Sequence, residues 1–193
     1  PDKTKPAVDM IVGKGGEITD EIKYSNQYDL PFYFKKNAKS ILIIGAGGGN
    51  DVAGAVRNNV PVIDAVEIDP TIVAIGRKFH PDLPYESKSV NVIVDDGRAY
   101  MQRTDKKYDL VIMGLADSQT LGSSMTNLRL DNYLYTVESF RQIKNILNPD
   151  GVIFVTFEAQ RPWIGTRIRR GLAEAYGEDP KVFEVRSDGL FGW

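Results

Sequence analysis

Residues 108–120, YDLVIMGLADSQT, form an apolar run that gives out at Gly114 into a polar tail holding Asp117. An aspartate placed there is a candidate catalytic base, able to take a proton from an attacking nucleophile. Upstream, IGAGGGND (44–51) sets Gly45, Gly47 and Gly49 two residues apart and ends on Asp51. Glycines in that pattern let the backbone turn sharply and approach a ligand, and the start of a following helix offers free N–H groups. VEIDP (66–70) closes the next apolar run with Glu67, a carboxylate able to accept hydrogen bonds from both hydroxyls of a ribose. Asp69, ahead of Pro70, reads as a helix cap. VDDGRAY (94–100) supplies Asp95, Asp96 and Gly97, and one of its two acids can accept a hydrogen bond from an adenine amino group.

Each cluster alone is a weak signal, whereas a glycine turn, a strand-end glutamate and an acidic turn in successive units describe an adenosine-binding pocket. Counted from Gly45, the sixth position of a dinucleotide fingerprint is Asn50, so that motif fails at its last element. No Lys-Ser/Thr pair follows the glycines, which excludes a P-loop.

Composition narrows the chemistry further. With 193 residues, 42% hydrophobic and 26% charged, the chain fits one globular domain with a full core. A formal net charge of -2 leaves no basic excess to neutralise a phosphate backbone, so no nucleic-acid partner is expected. No cysteine and a single histidine rule out disulfides, thiolate nucleophiles and multi-histidine metal sites, and no metal is expected. That histidine, His80 in FHPDLPY, reads as a helix-end residue. No apolar run reaches the ~18 residues of a membrane span, and the chain reads as soluble and cytoplasmic. Beginning at Pro1 and stopping at LFGW, it also reads as an excerpt of a longer protein.

The elements that must position these groups alternate. SILIIG (40–45), VIDAVE (62–67), VNVIV (90–94), YDLVIMG (108–114), GVIFVTF (151–157) and KVFEV (181–185) are short, β-branched-rich strand candidates. Asp69-Pro70 starts a helix over PTIVAIGRKF, and Thr136 caps VESFRQIKNIL, which Asn148-Pro149 ends. Alternation of this kind predicts an α/β fold with a doubly wound, mostly parallel sheet. Residues 115–135 form a long connection after the fourth strand, where an open α/β sheet binds ligand. Arg161, Arg167, Arg169 and Arg170 around Trp163 read as a solvated helix with a packed tryptophan.

Taken together, ILIIGAGGG, AVEIDP and DDGRAY resemble the glycine loop, ribose turn and adenine turn of class I S-adenosylmethionine-dependent transferases. Within that superfamily the chain is similar to the spermidine synthase (aminopropyltransferase) family. Tyr24 with Leu30-Pro31, LYTVESF (134–140) and NPDGVIFV extend the likeness from about Tyr24 to about Leu190. The resemblance implies a Rossmann-like sheet of class I methyltransferase type, with or without its last strand. It implies residues 1–39 as an extension and lead-in, and 40–193 as the nucleoside-binding transferase domain. Gly45, Gly47, Gly49, Asp51, Glu67, Asp96 and Gly97 would bind S-adenosylmethionine or its decarboxylated form, facing a small, polyamine-like acceptor. A homodimer, and fusion to a membrane-spanning segment outside this chain, are compatible with the family.

Three departures bear on the reaction. The family's glycine loop commonly carries an aspartate for the aminopropyl ammonium where Gly48 stands. After the fourth strand it has two aspartates three apart, then proline, the first serving as base; here those positions are Gly114, Asp117 and Ser118. Its larger amino-terminal β-rich portion has no counterpart in residues 1–23. Asp117 or Asp51 is left to replace the base. Aminopropyl transfer, methyl transfer to a small acceptor and a non-catalytic nucleoside-binding module all stay open.

Overall fold

The computed structural model describes residues 27–114, 133–157 and 162–182. Five strands, β1 (Ser40–Ile44), β2 (Val62–Glu67), β3 (Val90–Val94), β4 (Tyr108–Met113) and β5 (Leu147–Val155), form a parallel sheet in the order β3-β2-β1-β4-β5. Six α-helices are described: α1 (Leu30–Phe34), α2 (Asn50–Arg57), α3 (Pro70–Phe79), α4 (Gly97–Arg103), α5 (Val137–Ile146) and α6 (Pro162–Tyr176). None is long and apolar enough to cross a membrane.

The consecutive apolar residues of the strands divide between two cores. Ile41, Ile43, Ile63, Ala65, Leu110 and Ile112 point to one face, against Phe32 of α1 and Val52 and Ala55 of α2. Leu42, Ile44, Val66, Val111 and Met113 point to the other, against Tyr100 and Met101 of α4, Phe140 and Ile143 of α5 and Ile168 of α6. Side chains alternate faces along a strand, so an uninterrupted ILII is what a sheet covered on both sides demands.

Two caps fall where their residue types predict. Asp69 accepts a hydrogen bond from the Thr71 N–H at 2.7 Å, with Pro70 opening α3, and Thr136 accepts from the Ser139 N–H at 3.2 Å at the start of α5.

The last strand differs from expectation. It begins at Leu147, directly after α5, and the Asn148-Pro149 pair lies inside it. Pairing shifts from Tyr108↔Leu147 to Leu110↔Val152, so the intervening residues form a bulge. β5 is an edge strand, the place where a proline without an N–H is tolerated. Asn148 closes the bulge by donating to Asp109 Oδ1 at 2.7 Å, and a β-carbon on Gly151 would stand 2.9 Å from the Asn148 and Tyr108 carbonyl oxygens. Of the KVFEV segment, Lys181 and Val182 carry no strand, and the remainder lies outside the described residues. Trp163 is 63% exposed, so the tryptophan of α6 is not packed as its sequence suggests.

The order of the strands places the site. Chain progression reverses between β1 and β4, and Ile44 pairs with both Val66 and Met113, so β1, β2 and β4 end level. The carboxyl-end rim at such a reversal is where open α/β sheets take ligands.

Candidate functional site

Gly45, Gly47 and Gly49 all adopt positive φ, at 73°, 55° and 104°, a region closed to most side chains. The chain can therefore leave β1, fold over its end and enter α2 within five residues, presenting backbone rather than side chains to the rim. Gly49 has a second constraint, since a β-carbon there would lie 2.9 Å from Pro84 Cγ and 3.2 Å from Tyr85 Cε2.

Two side chains hold this loop. Glu67 Oε2 accepts from the Gly47 N–H at 2.8 Å and Oε1 from the Asp69 N–H at 3.0 Å. Tyr85, in the short 3-10 turn Pro84–Glu86, donates its hydroxyl to the Gly47 carbonyl at 2.6 Å. Its hydroxyl is held in the protonated, donating form by burial, reinforced by the negative charges of Glu67 and Asp51. The sequence pointed to Glu67 but not to this bracing role, and it did not single out Tyr85. A lone tyrosine between prolines and acids carries no periodic signal.

A carboxylate can accept about four hydrogen bonds, so Glu67 keeps capacity for ribose hydroxyls beyond its two backbone donors. Beside it on the rim stand Ile68 and Val94, each 53% exposed, the latter paired across the sheet with Glu67. Both are exposed apolar side chains near the acidic turn. In that turn Asp96 caps α4, its Oδ1 accepting from the Ala99 N–H at 2.8 Å, while Asp95 lies against Arg103. Gly97 is demanded by packing, because a β-carbon would stand 2.7 Å from Ile44 Cγ2. Arg98 turns inward, donating to Gln142 Oε1 at 2.8 Å and the Tyr133 carbonyl at 2.7 Å, and so ties α4 to the start of α5.

Asp51, in the first turn of α2, is only 8% exposed. Its carboxyl lies against Gly114, the first residue after β4: a β-carbon there would stand 2.9 Å from Asp51 Cγ and 3.3 Å from Oδ1. Burial alone pushes the Asp51 carboxyl up to about 7. Tyr135 donates to the Gly114 carbonyl at 3.4 Å. Gly48, by contrast, has no described residue within 4 Å in its β-carbon direction and has no positive φ.

The structure thus brings Gly45, Gly47, Gly49, Asp51, Glu67, Asp96 and Gly97 to one rim. Asp117, Tyr24 and Arg161 lie outside the described residues. His80 follows α3, its Nε2 3.2 Å from Asn50 Oδ1, and takes the helix-end place its turn suggests. Among the described residues no group of three or more His, Asp or Glu side chains could hold a metal ion.

Comparison with known proteins bears on the family and the fold. The family model for the spermine/spermidine synthase domain matches residues 21–177. A polyamine aminopropyltransferase of Thermoplasma volcanium is 32% identical over 127 residues, covering 64% of this chain and 43% of the relative. The chain spans about half, or less, of the length of such relatives. Among solved structures, spermidine synthase from Thermotoga maritima superposes with a TM-score of 0.64 at 19% identity, covering 78% of this chain and 51% of the other. Human methyltransferase-like protein 13 in complex with SAH superposes with a TM-score of 0.57 at 21% identity, covering 79% and 72%. Both likenesses establish a shared Rossmann-like, methyltransferase-type fold. With most of its length matched by the domain model and with aminopropyltransferases as relatives, this chain belongs to the spermine/spermidine synthase family.

Proposed function

We propose that the chain is the nucleoside-binding transferase domain of a spermidine-synthase-like enzyme that moves an aminopropyl group from decarboxylated S-adenosylmethionine to an amine of a small, polyamine-type acceptor. The observation that carries this reading is the glycine loop held over the strand rim by Glu67, at the sheet's reversal, in a member of this family. The remaining acceptor capacity of Glu67 suits ribose hydroxyls. Ile68 and Val94 offer apolar surface to a base, and Asp96 Oδ2, left over from capping, suits its amino group.

The donor's sulfonium supplies the leaving group. The protein therefore has to hold donor and acceptor in line and keep the attacking nitrogen unprotonated. Asp117, which follows Gly114 by three residues in the chain, is the base candidate read from the sequence.

A second reading, methyl transfer from S-adenosylmethionine to a small acceptor, is favoured by Gly48. With glycine there, position 48 adds no negative charge against the amino-acid carboxylate that the decarboxylated ligand lacks. Titration calorimetry with the two ligands separates the readings, together with an assay for 5′-methylthioadenosine formation. Tighter binding of the decarboxylated ligand and release of 5′-methylthioadenosine support aminopropyl transfer. Preference for S-adenosylmethionine with methylated product supports the second reading. A folded chain that binds neither ligand refutes both.

A further inference from the structure

Asp51 is an acid of the rim that neither braces the glycine loop nor caps a helix. Asp51 begins α2, on the chain leaving β1, yet its carboxyl fills the space beside the first residue after β4. The two positions are 63 residues apart in sequence and meet because β1 and β4 are neighbours whose ends are level. Among the described residues no hydrogen bond or ion pair satisfies that carboxyl, and burial is the sole cause of its raised proton affinity.

Burying an acid without a protein partner costs free energy, and groups of this kind concentrate at functional sites. We propose that Asp51 is the catalytic base of this enzyme, its carboxylate binding the acceptor amine at the place where a side chain on residue 114 would otherwise stand. The proposal rests on the aminopropyltransferase reading and extends it to a residue and an acceptor class: a primary amine approaching over the end of β4.

Three features agree with the assignment. Gly114 has to lack a side chain, since a β-carbon would collide with the Asp51 carboxyl, so an acid at 51 and an acid at 114 exclude one another. Tyr135 donates to the Gly114 carbonyl and so ties the strand end to the segment before α5. A carboxyl that titrates near neutrality is also well matched to exchanging a proton with an amine under physiological conditions. In the step itself, Asp51 takes a proton from the acceptor ammonium. The freed nitrogen lone pair forms the new N–C bond while the C–S bond of the donor breaks, its electrons passing to sulfur. The products are a secondary ammonium, 5′-methylthioadenosine and a protonated Asp51 that returns its proton to solvent.

The exclusion between 51 and 114 supplies the test. Three proteins are compared: the wild-type chain, Asp51→Asn, and the double variant Asp51→Ala with Gly114→Asp, which moves the acid from the helix to the strand end. Turnover is followed with decarboxylated S-adenosylmethionine and 1,4-diaminobutane, and nucleoside affinity with 5′-methylthioadenosine. Asp51→Asn is expected to lose about 10²- to 10⁴-fold in kcat, the usual worth of a general base, while keeping 5′-methylthioadenosine affinity within about threefold. The double variant is expected to recover kcat to within about tenfold of wild type by the same reasoning. Should Asp51→Asn not fold, the double variant carries the test alone.

Undiminished turnover in Asp51→Asn overturns the proposal and leaves the aminopropyltransferase reading standing. A folded double variant without activity also overturns it. A wild-type chain that binds the nucleoside yet transfers nothing to the diamine refutes the aminopropyl reading and this inference together.

Discussion

Replacing Asp51 by asparagine has a consequence for stability that is separate from any reaction. The carboxyl titrates at about 7 in the folded protein against an ordinary value of 3.8 when exposed. Below about pH 4 the group is neutral in both states and costs the fold nothing. Between about pH 4 and pH 7 the folded protein retains a proton that the unfolded chain has released, so stability falls as pH rises. Above that window the loss is complete. At 1.36 kcal/mol for each tenfold change in proton affinity, the rise from 3.8 to about 7 amounts to about 4 kcal/mol. Asparagine has similar shape and never ionises, so the variant escapes the loss. For a domain of this size 1 kcal/mol moves Tm by about 2–4 °C, so the variant's advantage over wild type should grow by roughly 10 °C between pH 4 and pH 8. Thermal denaturation of both proteins across that range, followed by circular dichroism, measures the difference. Other carboxylates titrate in both proteins alike and cancel. A difference in Tm that stays constant with pH would refute the claim that the Asp51 carboxyl is buried and unpartnered.

Glu67→Ala should lower nucleoside affinity by about 10- to 100-fold, the worth of charge-assisted hydrogen bonds, with the domain still folded; unchanged affinity in calorimetry would remove Glu67 from the pocket. Gly48→Asp adds a side chain where no described residue stands within 4 Å, so Tm should stay within about 2 °C of wild type. The added acid should shift preference toward decarboxylated S-adenosylmethionine, and equal affinities for the two ligands before and after the change would contradict that. Tyr85→Phe leaves the Gly47 carbonyl without its donor and should cost about 1 kcal/mol in chemical denaturation. A variant as stable as wild type would show that the hydroxyl does not brace the loop.

The parts of the site that sequence reading finds are those whose chemistry is local. Gly45, Gly47 and Gly49 require positive φ because of the turn they themselves make, and Glu67 closes a strand whose apolar pattern is plain. Asp69 and Thr136 cap helices within three residues of themselves. What sequence cannot show is contact between segments. The collision of Asp51 with Gly114 depends on β1 and β4 being neighbours, and the Tyr85 bond to Gly47 spans 38 residues. Trp163 misled for a related reason: a tryptophan on an amphipathic helix is assigned to the core by its type, but its actual neighbours decide whether it is covered. The bulge in β5 is not legible because Asn148-Pro149 is a strong stop signal in a helix and is also tolerated in an edge strand.

The double grip on Gly47 bears on how a ligand is received. Its N–H is held from β2 and its carbonyl from the Pro84–Glu86 turn, so three separate stretches of chain agree on the loop's shape before anything binds. Fixing one residue's backbone costs about 1–2 kcal/mol, and glycine, with the widest freedom to lose, lies at the upper end. In a floppy loop that entropy would be subtracted from every binding event. Here it is lost once, as the chain folds. The loop meets its ligand already in shape, and affinity reflects the contacts formed rather than the order imposed.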